Sequence, residues 1–479
     1  MDNFLINLIS NSSITDMELS TIRNVCYAEQ EAQALKLIVQ DSRAPLSYLA
    51  LIVIIFAGPL GDKFNKKKPF LLLPLVGELF SVFAYLITSI FKSTVPMQFH
   101  LYLETILNSL CGGFSLMLMG VFSILAATTS EEHRTFRFGA FSAFFSGAGI
   151  ILAPLATYVF EYLGYVNMFL LCIFIHVFGI IFIIFFIDEY PLPTAAEDNR
   201  VAGKENPGYI ENENNGSNLE LKYTSKLENG SNINNDNKNE THKHFCRETM
   251  EMSISSFKIF FVHRILDKKI VLWLVIIGFS VFAFSNVDTL LLSSFGRLAW
   301  GWTTEFALYS SFNQAMSFIG TVIVTAVFVN MFKMSDPLLV IIAVFCRLIS
   351  RILYSFFKNT NTIYLAGGID MFNSAPVVAI RSVLSKIVEA DELGRLYTVM
   401  SILETLVNPL ATKVYVQILT ETLQTAPQSF YFLTIGLLSL VIMLFIPTYV
   451  LVKKIFTKES IEETNPHYQN ENGMEVSKL

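Results

Sequence analysis

Glu78, Asp288, Arg347, Arg351, Asp370, Arg381 and Glu404 each stand inside a long apolar run, and Glu104 stands near the end of one. On an insertion scale an unpaired charge at the centre of such a run costs about 2.5–3.5 kcal/mol, so each of these side chains is a candidate for holding or moving an ion. Asp370 and Arg381 are eleven residues apart, about 1,100° of helical turn, which on an unbroken helix puts them within about 20° of one face and about 16 Å apart. Pro376 lies between them and is expected to kink that helix. Two readings stay open for these charges. In one, they hold or move an ion along a water-filled path; in the other, the charges only pair with one another and hold helices together. Arg347 and Arg351 are expected to snorkel towards a membrane boundary. His176, alone among apolar neighbours, reads as a packing residue.

The elements that must position these charges are set by composition. Of 479 residues 53% are hydrophobic and 15% charged, with 43 Phe, and the apolar residues gather in blocks rather than in a helical stripe. A span needs roughly 20 apolar residues. About eleven such segments can be placed, near 46–61, 70–91, 101–127, 138–160, 166–187, 269–292, 304–329, 337–357, 363–386, 397–419 and 429–452. The expectation is an all-α polytopic membrane protein with a first helix bundle over 46–187 and a second over 269–452. Residues 188–268 are polar, Asn-rich and repetitive, cannot bury a core, and are expected to be a disordered loop. Their end, SFKIFFVHRIL, has the character of a short interfacial helix.

Other chemistries find no support. No phosphate-cradling loop, metal-ligand spacing or nucleophile triad occurs in the polar segments, which argues against an ATP-driven pump, an enzyme or a nucleic-acid binder. His242, His244 and Cys246 lie close together but lack a second ligand group, so neither a metal nor a cofactor is expected. Cys111, Cys172 and Cys346 fall inside apolar runs and read as small buried hydrophobes. No cleavable signal peptide is expected from a start of Met1-Asp2 and a short FLINLI stretch.

Lysine and arginine in the short loops fix an expected orientation. Lys63, Lys66, Lys67 and Lys68, then Arg134 and Arg137, then Lys333, Lys386 and Arg395, then Lys453, Lys454 and Lys458 fall on one side of successive spans, which the positive-inside rule makes cytoplasmic. Residues 1–45 are then an extracellular or lumenal segment and 453–479 a cytoplasmic tail. Asn11-Ser12-Ser13 becomes a usable glycosylation sequon on a glycoprotein. Asn206-Pro-Gly-Tyr209 and Asn465-Pro466-His-Tyr468 are strings of the kind that dock trafficking adaptors by strand addition. SEEHRTFR, 130–137, echoes VEADELGR, 388–395, which hints at repeated halves with the third span matching the ninth.

With those residues in place the chain resembles the major facilitator superfamily, whose two six-helix halves are joined by a long cytoplasmic loop. The stretch GPLGDKFNKKKP is similar to the superfamily's signature loop between helices two and three, with Gly58, Leu60, Asp62, Lys66 and Lys67 at matching places and Asn65 where glycine is usual. RTFR, GYVNMF, Asp288 with the following leucines, and IRSVLSKIVEADELG resemble the proton-coupled folate transporter and thymic stromal cotransporter family, solute carrier family 46, with an arthropod-like spacing around Asp62. The resemblance implies about eleven spans as five plus six, with the first helix of the fold missing. It also implies that Asp288, Asp370, Arg381 and Glu104 share one water-filled path, on which Arg381 would bind an anionic group or close an inner gate and Asp370 or Asp288 would take up a proton; Glu78 is a further candidate by its place inside a span. Gly58, Asp62, Lys66, Lys67, Arg134 and Arg137 would then take part in conformational gating, Asp62 as an acid near a helix N-terminus.

Departures from the family are informative. Its coupling glutamate falls on Ser142, its acid at the inner end of helix four on Ala127, and its histidine of helix seven on Ala283. Its outer disulfide lacks a second member, since 293–302 contains no cysteine to meet Cys26. Its helix-ten arginine is matched by Arg381. The expectation is therefore secondary-active transport of a small organic solute by a solute-carrier symporter, with an organic anion as substrate class and proton coupling left open, in the plasma or lysosomal membrane. The alternative is a truncated, non-transporting membrane protein that binds or regulates partners.

Overall fold

The computed structural model describes residues 42–64, 67–91, 97–187, 266–300, 305–357, 359–389, 392–422 and 425–464. Every regular element among them is helical. A short 3₁₀ turn, Ala44–Tyr48, leads into α1 (Leu49–Phe64), followed by α2 (Pro69–Ile90), α3 (Met97–Leu110), α4 (Gly113–Ala127) and α5 (Glu131–Phe186). The second half holds α6 (Leu266–Asn286), α7 (Asp288–Trp300) and α8 (Glu305–Ile323), which runs on as a π-helical stretch, Val324–Met331. It continues with α9 (Asp336–Phe356), α10 (Thr360–Ile369), α11 (Ala375–Ile387), α12 (Leu393–Thr422) and α13 (Ser429–Thr464). α5 is two helices meeting at Gly164, whose φ of 70° and ψ of −178° turn the chain there.

Nine spans among the described residues are long and apolar enough to cross a membrane, and Ala44–Ala57 is a shorter apolar helix. α12 is not among them, since it carries Arg395, Glu404 and Lys413. Three of the spans are assembled from two helices each: α3 with α4, α6 with α7, and α10 with α11. The first break falls at Cys111–Gly113, where Gly112 and Gly113 have φ values of 83° and 57°. Two consecutive left-handed residues end one helix and start the next at little cost only when both are glycine.

Several boundaries differ from those expected. The segment Gly58–Phe64 is helical, so Asp62 sits in the last turn of α1, at the negative end of the helix dipole, and not near an N-terminus. The side chains of 58–64, and all of Lys66, Asn11, Cys26, Asn206, Tyr209, Cys246, Asn465, Pro466 and Tyr468, lie outside the described residues. α6 begins at Leu266, inside the expected loop, and α13 extends past 452 to Thr464.

Packing separates the described chain into two halves, α1–α5 and α6–α13. α2 packs on α3, α4 and α5; α13 packs on α6 and α9; and α9 packs on α11. The halves meet where α12 lies against α1 and α4 and where α5 lies against α8 and α11. In lipid such contacts depend on close van der Waals fit rather than on escape from water. Val166–Phe186, by contrast, has no fully buried residue and presents Phe174, Phe178 and Phe185 outward, as a helix solvated by lipid does.

The closest backbone approach is at Gly320 on α8, where a Cβ would lie 2.0 Å from the carbonyl oxygen of Met371 in the break between α10 and α11. Ser317 donates to Asn373 at 2.7 Å, and the hydroxyls of Thr321 and Ser374 lie 2.5 Å apart, strapping α8 to the same break. Gly320→Ala is expected to destabilise the protein by about 1–3 kcal/mol, seen as a lower midpoint of thermal unfolding in detergent. Gly436→Ala, inside α13 and with nothing within 4 Å of the added carbon, should not lower that midpoint, since alanine is the better helix former by about 0.5–1 kcal/mol.

Candidate functional site

The cleft between the halves holds two cavities. The outer one, of about 330 Å³, is lined by Arg43, Glu104 and Asn108 from the first half and by Leu290, Glu404 and Asn408 from the second. The inner one, of about 260 Å³, is walled by Phe114, Phe122, Phe141, Phe145, Phe279 and Phe282. Phe114, Ser115, Glu404 and Asn408 line both, so the two form one path. The breaks in the spans place polar groups on this path: Gly112 and Gly113 on the outer wall, and Ser374, before the first turn of α11, on the inner wall. Ser142 and Ala283, the positions where the family resemblance expects a glutamate and a histidine, also line the inner cavity.

Arg381, 2% exposed, lines neither cavity and is packed behind the wall of the inner one, against Val377, Glu404, Phe122 and Phe279, which do line it. Its guanidinium donates to the Glu404 carboxylate of α12 and to the Val377 carbonyl at 3.4 Å. It also rests over the rings of Phe122 at 4.7 Å and Phe279 at 5.5 Å, both of which wall the cavity. A guanidinium offers five donors in a rigid fork, and two aromatic faces stabilise its charge further. The one link of Arg381 to a cavity-lining acid among the described residues is the ion pair with Glu404, which lines both cavities.

Asp288, Asp370 and Arg381 do not line either cavity, and of the four residues expected on one shared path Glu104 alone does. Asp288, in the first turn of α7, accepts from Arg347 at 3.1 Å and from Arg351 at 2.5 Å. Arg351 donates in turn to Asp370 at 3.0 Å. All four are buried, so Arg347 and Arg351 do not snorkel but close a neutral cluster linking α7, α9 and the α10–α11 break. The single-face relation expected of Asp370 and Arg381 also fails. α10 ends at Ile369, a 3₁₀ turn follows, and Pro376 sits in the first turn of a new helix, where its missing N–H is not needed. Asp370 thus faces α9 while Arg381 faces α12. His176 donates from Nδ1 to the Cys172 carbonyl of its own helix at 2.7 Å, as a packing residue does.

At the far end of the cleft the halves are tied together. Arg134 of α5 donates to the Ser385 carbonyl of α11 at 2.6 Å and to Thr129 of its own loop at 3.2 Å. The hydroxyls of Thr135 and Ser382, 2.6 Å apart, both reach the carboxylate of Asp336, at 3.0 and 2.9 Å. Lys386 donates to the same carboxylate at 2.8 Å. Asp336, at the start of α9, accordingly gathers donors from both halves and also meets the favourable end of its own helix dipole. Lys67 reaches the Ser123 carbonyl at 3.5 Å within the first half, and Arg137 caps Thr128 at 3.1 Å.

Asp336, Thr135, Lys386 and Arg43 were missed as site residues. Arg43 donates to Glu104 at 3.4 Å, and Tyr85 holds the same carboxylate at 2.7 Å. Each lies at or beyond the end of a span, where polarity is ordinary and the sequence gives no exception to notice. Replacing Asp288 by Asn leaves two buried guanidiniums short of charge and is expected to cost about 3–5 kcal/mol, read as loss of monodisperse protein on extraction into detergent. Arg137→Gln should change stability by no more than about 0.5 kcal/mol.

Comparison with known proteins places this architecture. Residues 45–412 match the family described as Major Facilitator Superfamily. The mouse lysosomal proton-coupled steroid conjugate and bile acid symporter SLC46A3 is 27% identical over 139 residues, 29% of this chain and 30% of that protein, so the match spans under a third of that relative. Among solved structures, the human organic anion transporter MFSD10 (TETRAN) superposes with a TM-score of 0.56 at 14% identity, covering 86% of this chain and 83% of that one. The proton:xylose symporter XylE, bound to 6-bromo-6-deoxy-D-glucose, gives 0.55 at 12% identity over 86% of each chain. The family match over most of the chain, with a fold shared by transporters and a cleft between two helical halves, shows that this multi-pass membrane protein belongs to the Major Facilitator Superfamily.

Proposed function

We propose that the chain carries a small amphipathic organic anion across the membrane by secondary-active alternating access, in a state here closed at the Asp336 end. The single observation that carries this reading is the Phe-walled cavity whose lining carboxylate, Glu404, is paired with Arg381 behind the Phe122 and Phe279 rings. Six phenylalanines on that wall offer apolar surface worth about 25 cal/mol for each Å² of ligand they cover, and Arg381 supplies the complement to one negative charge. The relative named for steroid conjugates and bile acids carries ligands of this build. Glu404 would hold Arg381 in the empty protein, so an anion, or protonation of Glu404, frees the guanidinium. Thr135, Arg134 and Lys386 would release α11 and α9 when access reverses. The gating role of Asp62, Lys66 and Lys67 and proton traffic at Glu104 remain subordinate to this pathway, whereas Asp288 and Asp370, paired with Arg347 and Arg351, would hold helices together. A lysosomal or plasma-membrane location, with the Asp336 end cytoplasmic, accompanies the reading.

Uptake of a radiolabelled steroid sulfate tests it. Arg381→Ala removes a charge-assisted pair worth about 1.5–3 kcal/mol, so uptake at low substrate should fall about tenfold or more at equal membrane abundance. Unchanged uptake would remove Arg381 from the site. Asp336→Asn should loosen the tie between the halves, measured as faster thiol labelling of a cysteine introduced at Ser382.

A further inference from the structure

Glu78 lies on α2 behind the outer cavity, and Asn108, in the last turn of α3, stands between it and that cavity. The Asn108 amide nitrogen donates to the Glu78 carboxylate. Its oxygen, Oδ1, is buried without a hydrogen-bond partner among the described residues. A Cβ placed on Gly113 would lie 3.4 Å from that oxygen, so the orphaned atom faces the break between α3 and α4. No cation is paired with Glu78 among the described residues, although it sits near the middle of the span Pro69–Ile90.

These facts describe an incomplete arrangement when Glu78 is ionised. A carboxylate only accepts hydrogen bonds, so it can hold Asn108 by its amide nitrogen alone and must leave Oδ1 unsatisfied. A protonated Glu78 gains an O–H donor. The amide can then turn over, Oδ1 accepts from Glu78, and the freed NH₂ points to the broken backbone and the cavity. One proton, taken from water and held on a Glu78 oxygen, thus removes an unpaired charge in a span and pairs the Asn108 oxygen, while the two amide N–H donors pass to the side facing Gly113.

We infer that Glu78 is a proton-binding residue and that Asn108 is the toggle passing its protonation to the broken span. The other ionisable groups around it are Tyr85 on its own helix, Glu104 on α3, Cys111 in the break that follows α3, and His176 on α5. His176 is level with Glu78 because Leu75 opposes Gly179 and Tyr85 stacks on Phe169 at 5.6 Å. His176 keeps its Nδ1 on the Cys172 carbonyl, and Arg43 is directed to Glu104, so neither neutralises Glu78. The coupling role rests on the transporter reading above; protonation of Glu78 itself does not.

Infrared difference spectra of the purified, lipid-reconstituted protein decide the protonation. On acidification the wild type should develop a protonated-carboxyl C=O band that is missing in Glu78→Gln, kept in Glu404→Gln, and displaced in Asn108→Ala, which removes the acceptor. A Glu78→Gln spectrum identical to wild type overturns the assignment. In proteoliposomes, stimulation of steroid sulfate uptake by an inward proton gradient should vanish in Glu78→Gln while exchange of labelled for unlabelled substrate continues. Gradient-driven uptake that persists in Glu78→Gln, or no carriage by the wild type, defeats the coupling role while the spectra still decide protonation.

Discussion

A charge within the membrane layer has to find its counter-charge inside the protein, and this requirement organises the second half. Asp288, Arg347, Arg351 and Asp370 satisfy it as a closed cluster. Because the members come from α7, α9 and the α10–α11 break, the cluster fixes where two of the three broken spans can stand. The desolvation of four charges is large and their mutual attraction offsets it only in good geometry, so the arrangement contributes registry more than net stability. Tyr354 under Arg351, at 5.5 Å, and the aromatic cluster of Phe295, Phe430 and Tyr431 beside it exclude water and keep that geometry.

Arg381 and Glu404 obey the same requirement in a different setting. Their pair is not sealed: Glu404 lines both cavities, so one partner is reachable from the cleft. The contrast assigns work to charges that look alike in the sequence. A pair wholly inside one bundle serves as a rivet, whereas a pair with one member on the cavity wall can change partners. The two ends of the cleft repeat this distinction. Asp336 collects three donors, while Glu104 at the other end is held by Tyr85 and loosely by Arg43.

How much of this was legible follows from the same physics. Helices, two halves and intramembrane charges as the groups to watch were readable, because lipid permits few alternatives to an apolar helix and makes each charge an exception. Partner choice was not, since it depends on which helices touch. Arg347 and Arg351, one turn apart on one face, were nevertheless a visible hint of a shared acid. The eleven-residue relation of Asp370 and Arg381 misled because it presumed a continuous helix through Pro376. The pair Gly112-Gly113 inside an apolar run was a break signal of the usual kind. Asp336 carried little signal, for an acid after Ser335 at a helix start is common.

α12 crosses between the halves, touching α1 and α4 on one side and α6 on the other, yet it carries Arg395, Glu404 and Lys413. A helix of that composition has little tendency to leave the translocation channel for lipid alone, since one mid-helix charge costs about 2.5–3.5 kcal/mol on insertion scales. Glu404 becomes tolerable when Arg381 of α11 is beside it. The place of α12 in the membrane therefore depends on the helices around it, and the stability of this half is a collective property.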